Sequence, residues 1–353
     1  MANSTFPDGP SNTFEEVTLY LTQMLDQKFE QESKTAMWTP NPALVQGFQN
    51  AKTGKVATIT VSGMGNYSDK GYPFGTAGMT FEDYVLKYDR AISYPLHNVD
   101  LMQSANIPTA SAVLAEFSRT QLVPEVDACR IARVVERAQT DAENRVKSAY
   151  TPDKGTFLTT ILDALQVIED DTGIDSGINI MVNAKYGGVL KNSTEFSRVK
   201  NVETSMATIN NKVTDINDNP VKYVPSARMW SKIDVKDGSS TESLGFEPNA
   251  SAVEVVALLT APDTAQGIVA HQITDIFPKS ERIDGSIINF HAYHDCIVLK
   301  NKIPGIYAIL SSVTPEARGT EAVQTASVMA SGTERSTAST STRTTKTKTK
   351  TTS

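Results

Sequence analysis

The chain has 353 residues, 39% hydrophobic and 21% charged, with a formal net charge of −7. That length carries a real core in one large domain or two modest ones, and the acidic balance argues against nucleic-acid binding through a basic face. The two cysteines, Cys129 and Cys296, stand in apolar contexts without Cys-x-x-Cys spacing, which predicts reduced, buried, structural thiols and an intracellular site of synthesis.

The first stretch, MANSTFPDGPSNTFEEV, has no basic start and no apolar run, so it does not read as a signal peptide. No segment approaches the roughly 20 apolar residues of a membrane helix, so a soluble protein is expected. Residues 1–53 are polar, with Val17, Leu21, Met24 and Leu25 at helical spacing and Trp38, Leu44 and Phe48 as apolar anchors of an extended arm. KVATITVS (55–62) alternates with Ala57, Ile59 and Val61 on one face and predicts a strand. A Gly-rich loop follows, and then one long alternating segment.

In that segment Tyr84, Leu86, Tyr88, Ile92 and Tyr94 share a face, interrupted by Arg90. At about 3.3 Å per residue such a strand would reach roughly 46 Å, far beyond the usual length. A long hairpin with an apolar face needs cover, either from its own domain or from a neighbouring subunit.

Ala110, Val113, Leu114 and Phe117, then Ala128, Ile131, Ala132 and Val135, fall at helical spacing on either side of Pro124. Proline suits the first turn of a helix, and Glu125 and Asp127 would face the positive end of its dipole. Two helical pieces joined at or bent around Pro124 are expected. Further on, Phe157, Ile161, Leu165 and Ile168 predict a helix stopped at Gly173. INIMVNA and AVEVVALLTAP predict strands, NDNP a hairpin turn, and PDTAQGIVAHQ a short helix. SIINFHAYHDCIVLKNKIPGIYAILSS predicts two strands split at Lys302–Gly305. The Ser/Thr/Lys-rich end cannot bury enough apolar surface to order itself.

Chemical signals are weak. His291 and His294 are three apart on a strand and so face opposite ways, which argues against a shared metal. DINDNP opens like a calcium loop but has Pro220 where glycine is needed and Ser226 where glutamate is needed. SGMGNY completes no phosphate loop. No catalytic, cofactor or metal residue is expected.

Glu116, Phe117, Arg119, Thr120, Val123, Pro124, Glu125, Asp127, Ala128 and Arg130 form a pattern that resembles the major capsid proteins of tailed bacteriophages and prophages, especially a group from Gram-positive hosts. Cys129 stands where an aromatic residue would be expected. Asp89–Arg90 in the arm, and Asp295, Asn301, Lys302, Gly305, Ile306 and Tyr307 near the end, are similar to the same group. The resemblance covers residues 55–312.

It implies an α+β tailed-phage major capsid fold: N-terminal arm 1–53, extended β-hairpin loop 54–103, peripheral domain with a long spine helix in 104–155 and 272–303, axial domain in 156–271 and 304–317, and flexible tail 318–353. It also implies self-assembly into hexamers and pentamers of an icosahedral shell around packaged double-stranded DNA, without sequence-specific binding or a membrane. Portal, scaffolding or decoration proteins would be further partners, and the virion the destination after synthesis in the host cytoplasm. The residues expected at subunit contacts are Tyr84, Leu86, Tyr88, Arg90, Ile92, Tyr94, Arg119, Glu125, Asp127 and Arg130. On this view Tyr84, Leu86 and Tyr88 changed to Asp would block assembly without unfolding the axial domain. An encapsulin-like nanocompartment shell is the alternative on the same fold, and a soluble α/β enzyme is the third reading.

Overall fold

The computed structural model describes residues 33–38, 53–66, 74–97, 110–141, 143–193, 213–239, 244–277 and 285–316. The expected helix near Val17–Leu25, the anchors Leu44 and Phe48, and the Ser/Thr/Lys-rich tail lie outside these residues.

Strands β1 (Thr53–Val61) and β2 (Ala77–Val85) pair antiparallel as a two-stranded ribbon. β3 (Tyr88–His97) belongs to a different sheet, the edge of a three-stranded antiparallel sheet ordered β11-β12-β3, with β11 at Ala265–Phe277 and β12 at Gly285–Val298. The expected single long strand is therefore two strands, broken at Leu86–Lys87. The adjacent apolar pair Val85–Leu86 marks the break, because a continuous strand would point these two side chains to opposite faces.

Helix α1 (Ala110–Phe117) runs into a π-helical turn, Ser118–Leu122, and on into α2 (Val123–Asp141) without leaving helical dihedrals. Pro124 has no N–H for the carbonyl four residues earlier, and its ring would crowd that carbonyl. The turn before it widens, and the Val123 N–H reaches back five residues to the Ser118 carbonyl. Because the helix continues through the proline, Glu125 and Asp127 do not sit at a free positive helix end, contrary to the dipole expectation. They are engaged by side chains and backbone from elsewhere.

The six-stranded sheet has the order β4-β13-β10-β5-β7-β6. Its members are β4 (Val146–Lys147), β5 (Asn179–Asn183), β6 (Asp215–Ile216), β7 (Asn219–Val224), β10 (Val255–Thr260) and β13 (Ile306–Leu310). A small pair, β8 (Ile233–Val235) and β9 (Phe246–Pro248), lies apart. One face of the six-stranded sheet packs on α2 through Met181, Val255, Leu258 and Leu310, met by Ile131, Val134, Val135 and Ala138. The other face packs on α3 (Phe157–Thr172) through Ile180, Val182, Leu259 and Ile309, met by Phe157, Ile161, Leu165 and Ile168. Central β10 is thus buried on both faces, which its unbroken apolar run reflects. Gly173 ends α3 at φ 67, the left-handed cap.

The segment Pro262–Gln272 is not a helix. β11 starts at Ala265 and pairs with β12 along nearly its whole length. Asp263–Thr264 forms a turn, with Asp263 at φ 57.

Candidate assembly surface

The break at Leu86–Lys87 divides the sequence-predicted contact residues into two groups. Leu86 is fully buried against Ile268 and Ile297. Tyr88 packs with Ala128, Cys129, Ala132 and Trp230, and stacks on His294 at 5.5 Å. Ile92 joins Leu122, Val126 and Phe290, and Tyr94 joins Leu114 and Ile288. Leu86 and Tyr88 fill the protein's own interior, and Ile92 and Tyr94 are half-buried against it. The expectation that a neighbour covers this tyrosine face is therefore corrected for Leu86 and Tyr88. β3 gains its cover from β12 and the helix behind it. Tyr84 is half-buried at the ribbon base, where its hydroxyl donates to Glu82 Oε2 at 2.5 Å.

The charged members also work inside the chain. Arg90 Nε donates to Glu125 Oε1 at 2.5 Å, while its Nη1 and Nη2 donate to the carbonyls of Lys236 (2.6 Å) and Gly245 (3.2 Å). One guanidinium thus ties β3, α2 and the loop beside β8–β9. Asp127 is buried and accepts from Ser33 Oγ (2.6 Å), Lys34 N–H (2.8 Å), Thr35 Oγ1 (2.7 Å) and Arg228 Nη1 (2.9 Å). Arg130 Nη1 donates to Thr35 Oγ1 at 3.2 Å. These bonds fasten residues 33–38 to α2, and Trp38 then inserts into the core between α2 and the six-stranded sheet. Arg119 differs: it is exposed and pairs with Glu116 one turn back at 2.7 Å. Subunit contact thus remains open to Arg119, whereas Glu125, Asp127 and Arg130 hold the chain to itself.

A row of exposed apolar side chains lies instead on the ribbon's other face. The register Ile59↔Met79, Val61↔Ala77 and Thr53↔Val85 places odd-numbered residues of both strands together. Ile59 is 65% exposed, Val61 74%, Met79 56%, Phe81 64% and Val85 56%. Phe74, just before β2, is fully exposed as well. Ile59 and Val61 were legible as one face of a strand. Met79 and Phe81 were missed because the alternation was phased on Tyr84, one residue out of step.

His291 and His294 lie on opposite faces of β12 as their spacing requires. His291 Nε2 lies 2.9 Å from Asp89 Oδ1 at the surface, whereas His294 is buried. Among the described residues neither ring nitrogen of His294 has a hydrogen-bond partner. Burial, with Arg130 and Arg90 nearby, lowers its pKa to about 3, so the ring is neutral. Burial likewise raises the Cys129 thiol, and it pushes Cys296 up to about 12, which keeps both unreactive. Among the described residues no group of His, Cys, Asp and Glu could hold a metal ion, and no helix is long and apolar enough to cross a membrane.

No protein-family model matches the sequence, and no curated protein matches it. Solved structures do match the fold. A structure from Mycobacterium phage Che8 superposes with a TM-score of 0.54 at 12% identity, covering 78% of this chain and 90% of that one. The asymmetric unit of the bacteriophage PhiM1 mature capsid superposes with a TM-score of 0.52 at 16% identity, covering 76% of this chain and 85% of that one.

Proposed function

We propose that this chain, which has the α+β fold of tailed-phage major capsid proteins, is the repeating subunit of an icosahedral head shell around double-stranded DNA. The observation that carries the proposal is the ribbon. A two-stranded ribbon is marginal in water by itself, and this one presents Ile59, Val61, Met79, Phe81 and Val85 to solvent along one face. Its own body leaves that face uncovered while Leu86 anchors the ribbon base in the core. A second copy supplies the missing cover.

Ribbon and body are different surfaces, so the contact is head-to-tail, and repeated head-to-tail contacts close into rings when the rotation permits. Hexameric and pentameric rings tiling a closed shell are the expected products. In this arrangement the ribbon part of 54–103, up to the break at Leu86–Lys87, is the extended loop, and β3 joins the peripheral domain of 104–155 and 272–303. Residues 156–271 with 304–317 are the axial domain, and an N-terminal arm and a C-terminal tail flank the whole. Portal, scaffolding and decoration proteins are the further partners, and the virion is the destination.

Electron microscopy of the purified full chain tests the reading. Rings and closed shells are expected, and particles recovered from a phage-producing culture should contain nuclease-protected double-stranded DNA. Particles holding a protein cargo and no DNA would instead identify a nanocompartment shell. A chain that stays monomeric under every assembly condition would overturn the proposal.

A further inference from the structure

The chain passes from the ribbon into β3 through one dipeptide, Leu86–Lys87. The β1–β2 ladder ends at Val85, and the β3–β12 ladder begins at Tyr88↔His294, so neither sheet supplies backbone bonds to the residues between. A side chain fills that place. Asp295, 1% exposed on β12, accepts the Lys87 N–H on Oδ2 at 3.0 Å. Its Oδ1 accepts the Cys296 N–H at 2.8 Å and Arg133 Nε at 3.1 Å, and Arg133 Nη1 continues to Glu136 Oε2 at 2.7 Å on α2. One buried carboxylate therefore joins the junction backbone, the central strand of the three-stranded sheet and the long helix.

We propose that Asp295 is the positioning residue that aims the ribbon and, through it, sets the curvature of the assembled shell. Leu86 and Asp295 divide the work at the junction. Leu86 sits in an apolar socket with Ile268 and Ile297, and such contacts are non-directional, so they hold the base in place without fixing an angle. The Lys87-to-Asp295 hydrogen bond is directional and fixes that angle. Outer contacts, Glu82 to Lys300 at 2.9 Å and the Tyr84 hydroxyl to the Val298 carbonyl at 3.5 Å, lie along the same side of the ribbon base. Leverage makes the angle consequential. Nine residues of strand span about 30 Å, so a tilt of about 10° at the junction moves the tip by about 5 Å, more than the separation between neighbouring strands.

This inference rests on the shell reading above, and its test keeps the two apart. Spin labels at Thr60→Cys on the ribbon and Gln139→Cys on α2 report the ribbon angle in the unassembled full chain, since Cys129 and Cys296 are buried. Asp295→Asn removes acceptor capacity from the carboxylate, and Lys87→Pro deletes the donor from the ribbon side without touching a buried side chain. Should Asp295→Asn fail to fold, Lys87→Pro decides the question. Lys87→Pro should melt near the wild-type temperature and Asp295→Asn below it, because the latter weakens a buried ion pair with Arg133. Both should broaden the label-to-label distance distribution by roughly twofold or more and give shells of mixed diameter. An unchanged distribution, or a broadened one with shells of wild-type diameter, overturns the assignment. A wild-type chain that forms no shells overturns the function proposed above, while the distance measurement still decides whether Asp295 aims the ribbon.

Discussion

Replacing Phe81 by Asp separates assembly from folding. Phe81 is 64% exposed in the isolated chain, so the substitution removes little native packing, and the melting temperature should stay within a few degrees of wild type. Completing the burial of Ile59, Val61, Met79, Phe81 and Val85 on a neighbour would contribute about 5–9 kcal/mol per ribbon before ordering costs, scaled by their exposed fractions. Phe81 accounts for about 1–2 kcal/mol of this, and a carboxylate in the same contact adds a desolvation cost of several kcal/mol. A loss of about 3 kcal/mol per contact raises the protein concentration needed for assembly by about a hundredfold. Light scattering against concentration, with differential scanning calorimetry on the unassembled chain, measures both quantities. Tyr88→Ala supplies the contrast: it empties an interior site and should cost the chain itself about 3–5 kcal/mol. Phe81→Asp shells forming at the wild-type threshold would refute the role of the odd-numbered face.

Asp127→Ala should release residues 33–38 and strand Arg228 without its partner, a loss of about 3–5 kcal/mol in urea denaturation. At Gly267 an added Cβ would lie 2.5 Å from Arg130 Cζ, in a guanidinium held by Thr35, so Gly267→Ala should cost about 1–3 kcal/mol in a thermal melt. The depressed pKa of His294 makes its contribution complete above the ordinary value of 6.5 and progressively lost as pH falls toward about 3. By about pH 5 the loss is about 2 kcal/mol. Neighbouring Asp295, raised by burial against the opposing pull of Arg133, acts in the other direction, because its protonation favours the folded state. His294→Phe keeps a ring against Tyr88 and should flatten the acid limb of stability measured by denaturant titration at successive pH values. An unaltered limb would show that the acid sensitivity arises elsewhere.

What could be read from the sequence follows from how local each signal is. α3 was legible because its periodicity faces one sheet and Gly173 supplies a left-handed stop. The hairpin at Asn217–Asp218 was legible because two adjacent residues that tolerate positive φ stand between strands, and they adopt φ 49 and 61. β11 was misread because its evidence lies in β12, to which it pairs from Ala265↔Val298 to Phe277↔Ile287. The buried charges of α2 were invisible for another reason. A helical stripe assumes one covered face, whereas α2 meets the six-stranded sheet through Ile131 and Val135, Trp230 through the Ala128 side, and Phe290 through Val126. Asp127 and Arg130 are enclosed by elements distant in sequence, and no one-dimensional pattern reports that. On the ribbon, the adjacent apolar residues Val85 and Leu86 were a local signal, a change of phase inside what looked like one strand.

The π turn sets a limit on length variation in the long helix. Leu114, Phe117, Leu122 and Val126 all reach toward β3 and β12, yet the step from Phe117 to Leu122 is five residues where a regular helix would use three or four. The wide turn absorbs the surplus residue and keeps both halves in rotational register. Excising one residue between Phe117 and Leu122 would leave a step of four and let an ordinary helix form with both halves still in register, whereas excising a second would swing α1 by about 100° relative to α2. Only the second loss would take Leu114 off Ile288 and turn it to water, so the wide turn leaves the helix one residue of slack and no more.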